Sequence, residues 1–573
     1  MTGSNGQNPA IPWPRAEVPR RVAILGWARL SAQAIEGSGY NLSASELARG
    51  LVLCGHAVSY LASGMRYSLS RLPRVTYRET WGGVECFDLL NSPNLSPASA
   101  NFENMASEVA SPHQARLVVD WLRERRVEVV HIHSLEGYAL DLIGAVRDAG
   151  MPVVVTPHNY WYVCPQVDLL HEELRVCLDY RGGERCVGCL RPKKGLVLKR
   201  SVGQTLERVM GLERANGVRR LLYGLKPAFK RLFGRDSADR SVRGRSDRPL
   251  NPDRLTDPEL ALGFDGDLPD GGEIKHDLVP PPGTGPRELT VSPLDENERF
   301  LQSPVHLKVL NGYGRRRAAG AAALNRASLV TSPSEFLRRA HVAMGVDTGR
   351  TRTVLLGQPH FDQINRRARR SPYYNSVPWE AATAARPVRF AFLGTTRANK
   401  GLEVLTQAIP LLDPAVRRRC HFVIRALGWD WPFRVRLSRF PEVSFAGGYD
   451  LMQLISMHGE YDVGVLPHIW FENSPLVMLE HLHAGKFVIS SRLGGPADWI
   501  DPPRNGLFFR AGDPSDLAAC LASVAEGRVR LPTAREVHES SRLQSYPGHV
   551  RSIQVIYEEV IREVGTGGAV LDQ

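Results

Sequence analysis

What most constrains this chain is a change of period that repeats along it. Short apolar runs of strand length alternate with helical patterning, and they do so in two separate blocks. In the first block "RVAILGW" (21–27), "HAVSYLA", "VEVVHIH" and "PVVVTPH" read as strands. Between them "SASELARGLVLCG", "SPHQARLVVDWLRERR" and "GYALDLIGAVRDAG" read as helices, the second opening on Ser111 and Pro112. The second block runs "VRFAFLG" (388–394), "GLEVLTQAIPLL", "HFVIRALG", "YDVGVLP", "PLVMLEHLHAG" and "KFVISSR". Strands without polar alternation are buried on both faces, and strand–helix–strand repetition winds a parallel sheet. The expected class is α/β: two facing Rossmann-like, doubly wound domains with a cleft between them.

A chain of 573 residues is too long for one core. The expected divisions are a disordered tail over 1–20, an N-terminal domain over 21–360, a linker over 361–387 and a C-terminal domain over 388–545. An amphipathic helix over 546–566 is expected to pack back on the N-terminal domain. About 234–304, rich in Asp, Arg, Gly and Pro, reads as a disordered insertion. The first twenty residues lack the apolar core of a secretory signal, and no apolar run reaches the roughly 18 residues of a membrane span. A cytoplasmic placement is therefore expected.

The net charge is +12, and of the 72 basic residues only nine are lysine. The densest clusters, Arg315–Arg317 and Arg366–Arg370, read as solvated faces; an anionic membrane face or an anionic substrate are the partners such a surface would suit. Nucleic acid is not an expected partner, because no aromatic interleaving accompanies the charge.

Ligands of open α/β sheets bind beyond the carboxyl ends of the strands. There the sequence places His133, His158, Arg397, Lys400 and Glu472. After Glu472 a helix is expected, with Ser474 as N-cap, Pro475 at its first position and Gly485 ending it. Its N-terminus can hold a phosphate. Glu480 follows Pro475 by five residues, about 7.5 Å along a helix axis, within reach of ribose hydroxyls on that phosphate. The alternative for Glu480 is an ion pair with His483 at i+3; for Glu472 it is solvation in a loop.

On these residues the chain resembles a family. "FENSPLVMLEHLHAGKFVISSRLGG" resembles the donor-binding segment of the retaining GT-B glycosyltransferases, family four (glycosyl transferases group 1). "FLGTTRANKGLEVLTQAI" resembles the Gly…Lys-Gly loop that opens their C-terminal domain. The resemblance implies a GT-B fold and transfer of a sugar from a UDP- or GDP-sugar to a hydroxyl of a glycan or lipid-linked acceptor, with retention. It implies Glu472 on sugar hydroxyls, Glu480 on the ribose, Lys400 and Arg397 on the diphosphate, and His158 on the donor sugar. Asn473 and Ser474 would offer backbone N–H groups, Gly394 would line the nucleotide, and Gly37 and Gly39 would form the Gly-rich loop between donor and acceptor. No catalytic metal is implied, because cations of the chain neutralise the leaving group. Thr395 departs from the arginine frequent there, and Asp498 from a glutamate. A non-catalytic GT-B binding protein and a GT-B sugar-nucleotide epimerase are the alternatives.

Four of the eight cysteines, Cys164, Cys177, Cys186 and Cys189, stand within 26 residues in "CPQVDLLHEELRVCLDYRGGERCVGC". Four thiolates suit a structural zinc; disulfides and free thiols are the other readings.

Overall fold

The structure, a computed structural model, describes residues 13, 15–30, 39–171, 175–189, 192–211, 214, 296–303, 308–376 and 382–568. The first block builds β1 (Arg21–Gly26), β2 (Ala57–Ser63), β3 (Arg74–Trp81), β4 (Val84–Leu90), β5 (Val129–Ile132) and β6 (Val153–Val155). A small hairpin, β7 (Leu170–His171) and β8 (Arg175–Val176), stands apart, and β9 (Leu329–Ser332) and β10 (Thr351–Thr353) complete the sheet. Its order is β10-β9-β6-β5-β1-β2-β4-β3, parallel except for the pairing of β3 with β4.

Side chains of a strand alternate between faces, and β1 shows the use made of this. Ala23 and Leu25 join the core under helices Pro112–Glu124 and Asp141–Asp148, with Val118, Leu122, Ile143 and Val146. Val22 and Ile24 face the other way, into a core shared by helix Gly39–Leu53 and the last helix, Tyr546–Gly568. From that last helix Val550, Ile553, Tyr557 and Val560 pack on the first sheet, and the Tyr557 hydroxyl lies 2.7 Å from His131 Nδ1. Gly50 lets the two helices approach: a Cβ there would stand 2.5 Å from Val550.

The second block forms β11 (Val388–Thr395), β12 (Cys420–Leu427), β13 (Val443–Phe445), β14 (Val463–Leu466), β15 (Phe487–Ser491) and β16 (Gly506–Phe509). All pairs are parallel, in the order β13-β12-β11-β14-β15-β16. Two Rossmann-like sheets with helices packed on them make the fold GT-B.

Four expectations change. The tail is not loose throughout: Trp13 meets Tyr546 edge-on at 5.0 Å, Ala16 N–H donates to Cys54 O, and Arg20 pairs with Glu558 and Glu128. The linker contains a helix, Pro359–Arg369, whose Phe361 and Ile364 are buried. The insertion ends early, because Glu296–Leu301 is helical and Phe300 lies 4.8 Å from Phe471; residues 234–295 lie outside the described ones. Within Arg315–Arg317, Arg316 and Arg317 are buried: Arg316 Nε donates to Glu108 at 2.6 Å and Nη1 to Trp161 O at 2.9 Å, while Arg317 Nε donates to Val163 O. These arginines brace the loop that follows His158. No helix among the described residues is long and apolar enough to cross a membrane.

Candidate functional site

Two loops at the carboxyl ends of neighbouring strands create the centre of the site. The loop after β11 lies directly on the loop after β14: Ile469 N–H donates to Asn399 O at 3.0 Å. Gly401, at φ +72°, makes this approach feasible, since a Cβ there would stand 1.7 Å from Pro467 O. The approach brings Lys400 Nζ onto Glu472 Oε1, with the ammonium 5.2 Å from the Trp470 ring centre. Glu472 is held by a parallel bridge to Gly494, and Gly495 N–H donates to its carbonyl at 2.6 Å. Asn297 clamps Gly494 in turn, accepting from its N–H and donating to its carbonyl at 2.8 and 3.1 Å.

Glu472 is therefore not a solvated loop residue; it is 6 % exposed. Burial by itself raises its pKa, but the charges of Lys400 and His468 and the Lys400 hydrogen bond outweigh burial and hold the carboxyl below its ordinary value. It is a carboxylate at neutral pH. His468 sits beneath it with its two ring nitrogens 3.2 and 2.9 Å from the carbonyls of Leu466 and Leu493.

The following helix spans Leu476–His483, with Pro475 as its N-cap. It starts one residue later than expected, and Ser474 does not cap it: the Ser474 hydroxyl is buried without a partner. Gly485, at φ +67°, follows its C-terminus. Asn473 Nδ2 donates to His158 O across the cleft, and Asn473 Oδ1 has no partner. Glu480 is buried, but its partner is not His483. His360, from helix Pro359–Arg369, lies 3.1 Å from Glu480 Oε1, while Oε2 is unpartnered. The His483 ring stacks instead on Phe361 at 4.9 Å, and burial holds its pKa down to about 3. Unpartnered buried polar atoms are costly and uncommon. Here Thr395 Oγ1, Asn399 Oδ1, Asn473 Oδ1, Ser474 Oγ and Glu480 Oε2 all occur along the two loops and the helix they lead into.

The first sheet contributes His158. Its Nε2 lies 2.9 Å from His133 Nδ1, the rings are stacked, and burial holds its pKa down to about 3, so the imidazole is neutral. Nearby, Glu136 accepts from Ala98 N–H at 2.8 Å and from Asn159 at 3.1 Å; burial pushes its pKa up to about 7. Asp498 accepts from the Phe336 N–H of helix Glu335–Ala343 at 2.9 Å, and Tyr160 O–H donates to Phe471 O, so the halves are joined around the site. Arg397 is exposed; its carbonyl accepts from Lys400 N–H at 3.0 Å, and its guanidinium forms no hydrogen bond or ion pair among the described residues. Gly394 is half-buried near the end of β11. Gly39 begins helix Gly39–Leu53, and Gly37 lies outside the described residues.

Sequence reasoning missed His360, Asn297 and Glu136. For His360 a signal existed: Pro359 at a helix start, then Phe361, Ile364 and Ala368 at helical spacing.

The four clustered cysteines do not form the expected zinc tetrad. They lie close enough for Cys164 and Cys186 to add to the rise that burial imposes on Cys177, pushed up to about 12. Cys189 Sγ, however, is turned to Gln166 Oε1 and Leu170 O. Among the described residues no three Cys, His, Asp or Glu side chains are arranged to hold a metal, and none of the eight cysteines forms a disulfide.

Residues 387–526 match the family model described as glycosyl transferases group 1, and residues 38–227 match the glycosyl transferase 4-like domain. No curated protein matches the sequence. Among solved structures, the chain is similar to Anabaena HepE in complex with UDP and glucose (12 % identity, 94 % of this chain and 100 % of that one, TM-score 0.48). It is also similar to a glycosyltransferase from Rickettsia africae (12 %, 95 % and 99 %, 0.46) and to sucrose-phosphate synthase from Thermosynechococcus elongatus (12 %, 96 % and 99 %, 0.44).

Proposed function

Because the chain belongs to the glycosyl transferases of group 1, we propose that it moves a sugar from a UDP- or GDP-sugar to a hydroxyl of a glycan or lipid-linked acceptor, with retention of configuration. The observation that carries this reading is the Lys400–Glu472 pair, at the carboxyl ends of β11 and β14, among the unpartnered polar atoms of Asn473, Ser474 and Glu480. In the reaction the bond between the anomeric carbon and the diphosphate oxygen breaks, and its electron pair leaves on the diphosphate. The acceptor oxygen bonds to the same face of the sugar and its proton passes to the departing phosphate oxygen.

Lys400, Arg397 and the N–H groups of the helix start meet the negative charge that grows on the leaving group. Glu472 and neutral His158 receive sugar hydroxyls, Glu480 the ribose, and Gly394 and Asn473 line the donor. Gly37 and Gly39 border donor and acceptor. The enzyme works in the cytoplasm on glycan or polysaccharide precursors, and its basic surface suits contact with an anionic membrane.

The test is a panel of nucleotide sugars with glycan acceptors, products resolved by mass spectrometry. Transfer, or slow donor hydrolysis, is expected with one donor. Tight binding without turnover would point to a non-catalytic protein, and donor isomerised without acceptor to an epimerase. Glu480→Gln is expected to raise the donor KM about tenfold, the loss of roughly 1.4 kcal/mol of binding, with kcat little changed. An unchanged KM would remove Glu480 from the nucleoside site.

A further inference from the structure

At the opposite end of the second sheet from the site above lies a lysine that nothing in the proposed chemistry uses. Lys486 immediately precedes β15, at the amino ends of the strands, and is 6 % exposed. Its ammonium makes no ion pair or hydrogen bond among the described residues. It rests 3.9 Å from the centre of the Tyr373 ring and 5.8 Å from that of Tyr461. The side chain is largely covered, and its ammonium meets ring faces rather than a counter-charge; two ring faces return only about 1–2 kcal/mol, so an anion there would be favourable.

The nearest carboxylate is already taken. Asp462 accepts from Arg389 Nε, Nη2 and backbone N–H at 3.0, 2.8 and 3.0 Å. The group Arg389, Asp462 and Lys486 therefore carries one uncompensated positive charge. Burial and the nearby charge of Arg389 draw the Lys486 pKa down to about 8, with Asp462 opposing, so much of the amine stays charged at neutral pH.

Beside these residues is a cavity of about 70 Å³, lined by Lys486, Arg389, Asp462, Tyr373, Leu531 and Ala534 among others. Its volume admits a few heavy atoms and no sugar nucleotide. Its walls come from three places: the amino ends of the second sheet, Tyr373 in the segment that leads into that sheet, and the loop Leu531–Ala534 that follows helix Pro514–Ala525.

We propose that this cavity is a binding site for a small oxyanion, of the size of phosphate or acetate, that pairs with the Lys486 ammonium. Such an anion cancels the uncompensated charge and accepts from Lys486 and from the Arg389 N–H groups not used by Asp462 or by Gly459 O.

The full chain is titrated with sodium phosphate, acetate and bicarbonate, with chloride at matched ionic strength as control, and its melting midpoint is followed. At several-fold excess over Kd a saturable rise of about 2–4 °C is expected for at least one oxyanion and not for chloride. The rise is expected to disappear in Lys486→Met. A separate readout covers the case in which that variant fails to fold. The nine lysines of the wild-type chain are reductively methylated with ¹³C, and one methyl resonance with a depressed titration midpoint is expected to shift saturably with the same oxyanion. No saturable response to any of the three anions, an equal response in Lys486→Met, or an oxyanion response with no shift of that resonance would overturn the proposal. The effective anion separates phosphate from carboxylate sources.

Discussion

Glutamine in place of Glu472 is expected to lower kcat about 100- to 1,000-fold, the usual cost of removing one charged group from a preorganised transition-state site, while leaving the fold intact. The reason lies in the unequal burial of the pair. Lys400 is one-third exposed, whereas Glu472 is 7 % exposed at its side chain. Removing the glutamate charge leaves an ammonium that water can reach. Removing the lysine leaves a carboxylate that water cannot reach. Lys400→Met should therefore lose activity and also about 2–4 kcal/mol of stability in urea denaturation at pH 7.

The sign of the pH dependence follows from Glu472. Its folded pKa lies below the ordinary value of a glutamate carboxyl, so the stability the pair contributes is present above that ordinary value and is lost as pH falls through the depressed one. In Lys400→Met the largest opposition to burial is gone, so the same pKa rises and protonation relieves the penalty. The stability gap between wild type and Lys400→Met should narrow between pH 7 and pH 4.5. A gap that is constant or widens would mean that Glu472 is not ionised in the folded wild type, and full kcat in Glu472→Gln would remove it from the chemistry.

Arg316→Met is the second large effect expected, a loss of about 3–5 kcal/mol read from the urea midpoint. The arginine is fully buried against Glu108 and Trp161. Burial raises the Glu108 pKa more than Arg316 lowers it, so the net direction is upward. Attraction thus falls short of desolvation, and the pair is stable only while both members are present. The double variant Arg316→Met/Glu108→Leu should recover most of the loss, and a double variant as unstable as the single one would contradict this account. Because Arg316 also holds Trp161 O, the single variant should loosen the segment after His158.

The alternation of strands and helices was legible because burial on both sheet faces leaves an unbroken apolar run, and helical capping leaves Ser, Pro and Gly at fixed places. Lys400 and Glu472 were legible for a related reason: strand ends show in the sequence, and open parallel sheets bring their carboxyl ends together. Partners were not legible. His360 reaches Glu480 across 120 residues, and Arg316 reaches Glu108 across 208. No local period reports contacts of that span. The antiparallel strand β3, an edge with mixed exposure, lacks the apolar run that marked its neighbours. The arginine cluster misled because composition counts charges and says nothing of which are paired inside.

The last helix, Tyr546–Gly568, has a consequence for synthesis. It supplies Val550, Ile553, Tyr557 and Val560 to a core whose other half, Val22, Ile24, Leu47 and Leu51, leaves the ribosome more than 480 residues earlier. The second sheet, by contrast, closes on strands from one continuous stretch, Val388–Phe509. The nascent chain can therefore complete its second sheet while the first still exposes an open apolar face. The usual order, in which the amino-terminal half matures first, is reversed here. That waiting face is where a chaperone would be needed, and a ribosome stalled before codon 546 would release a chain with one finished half and one that cannot close.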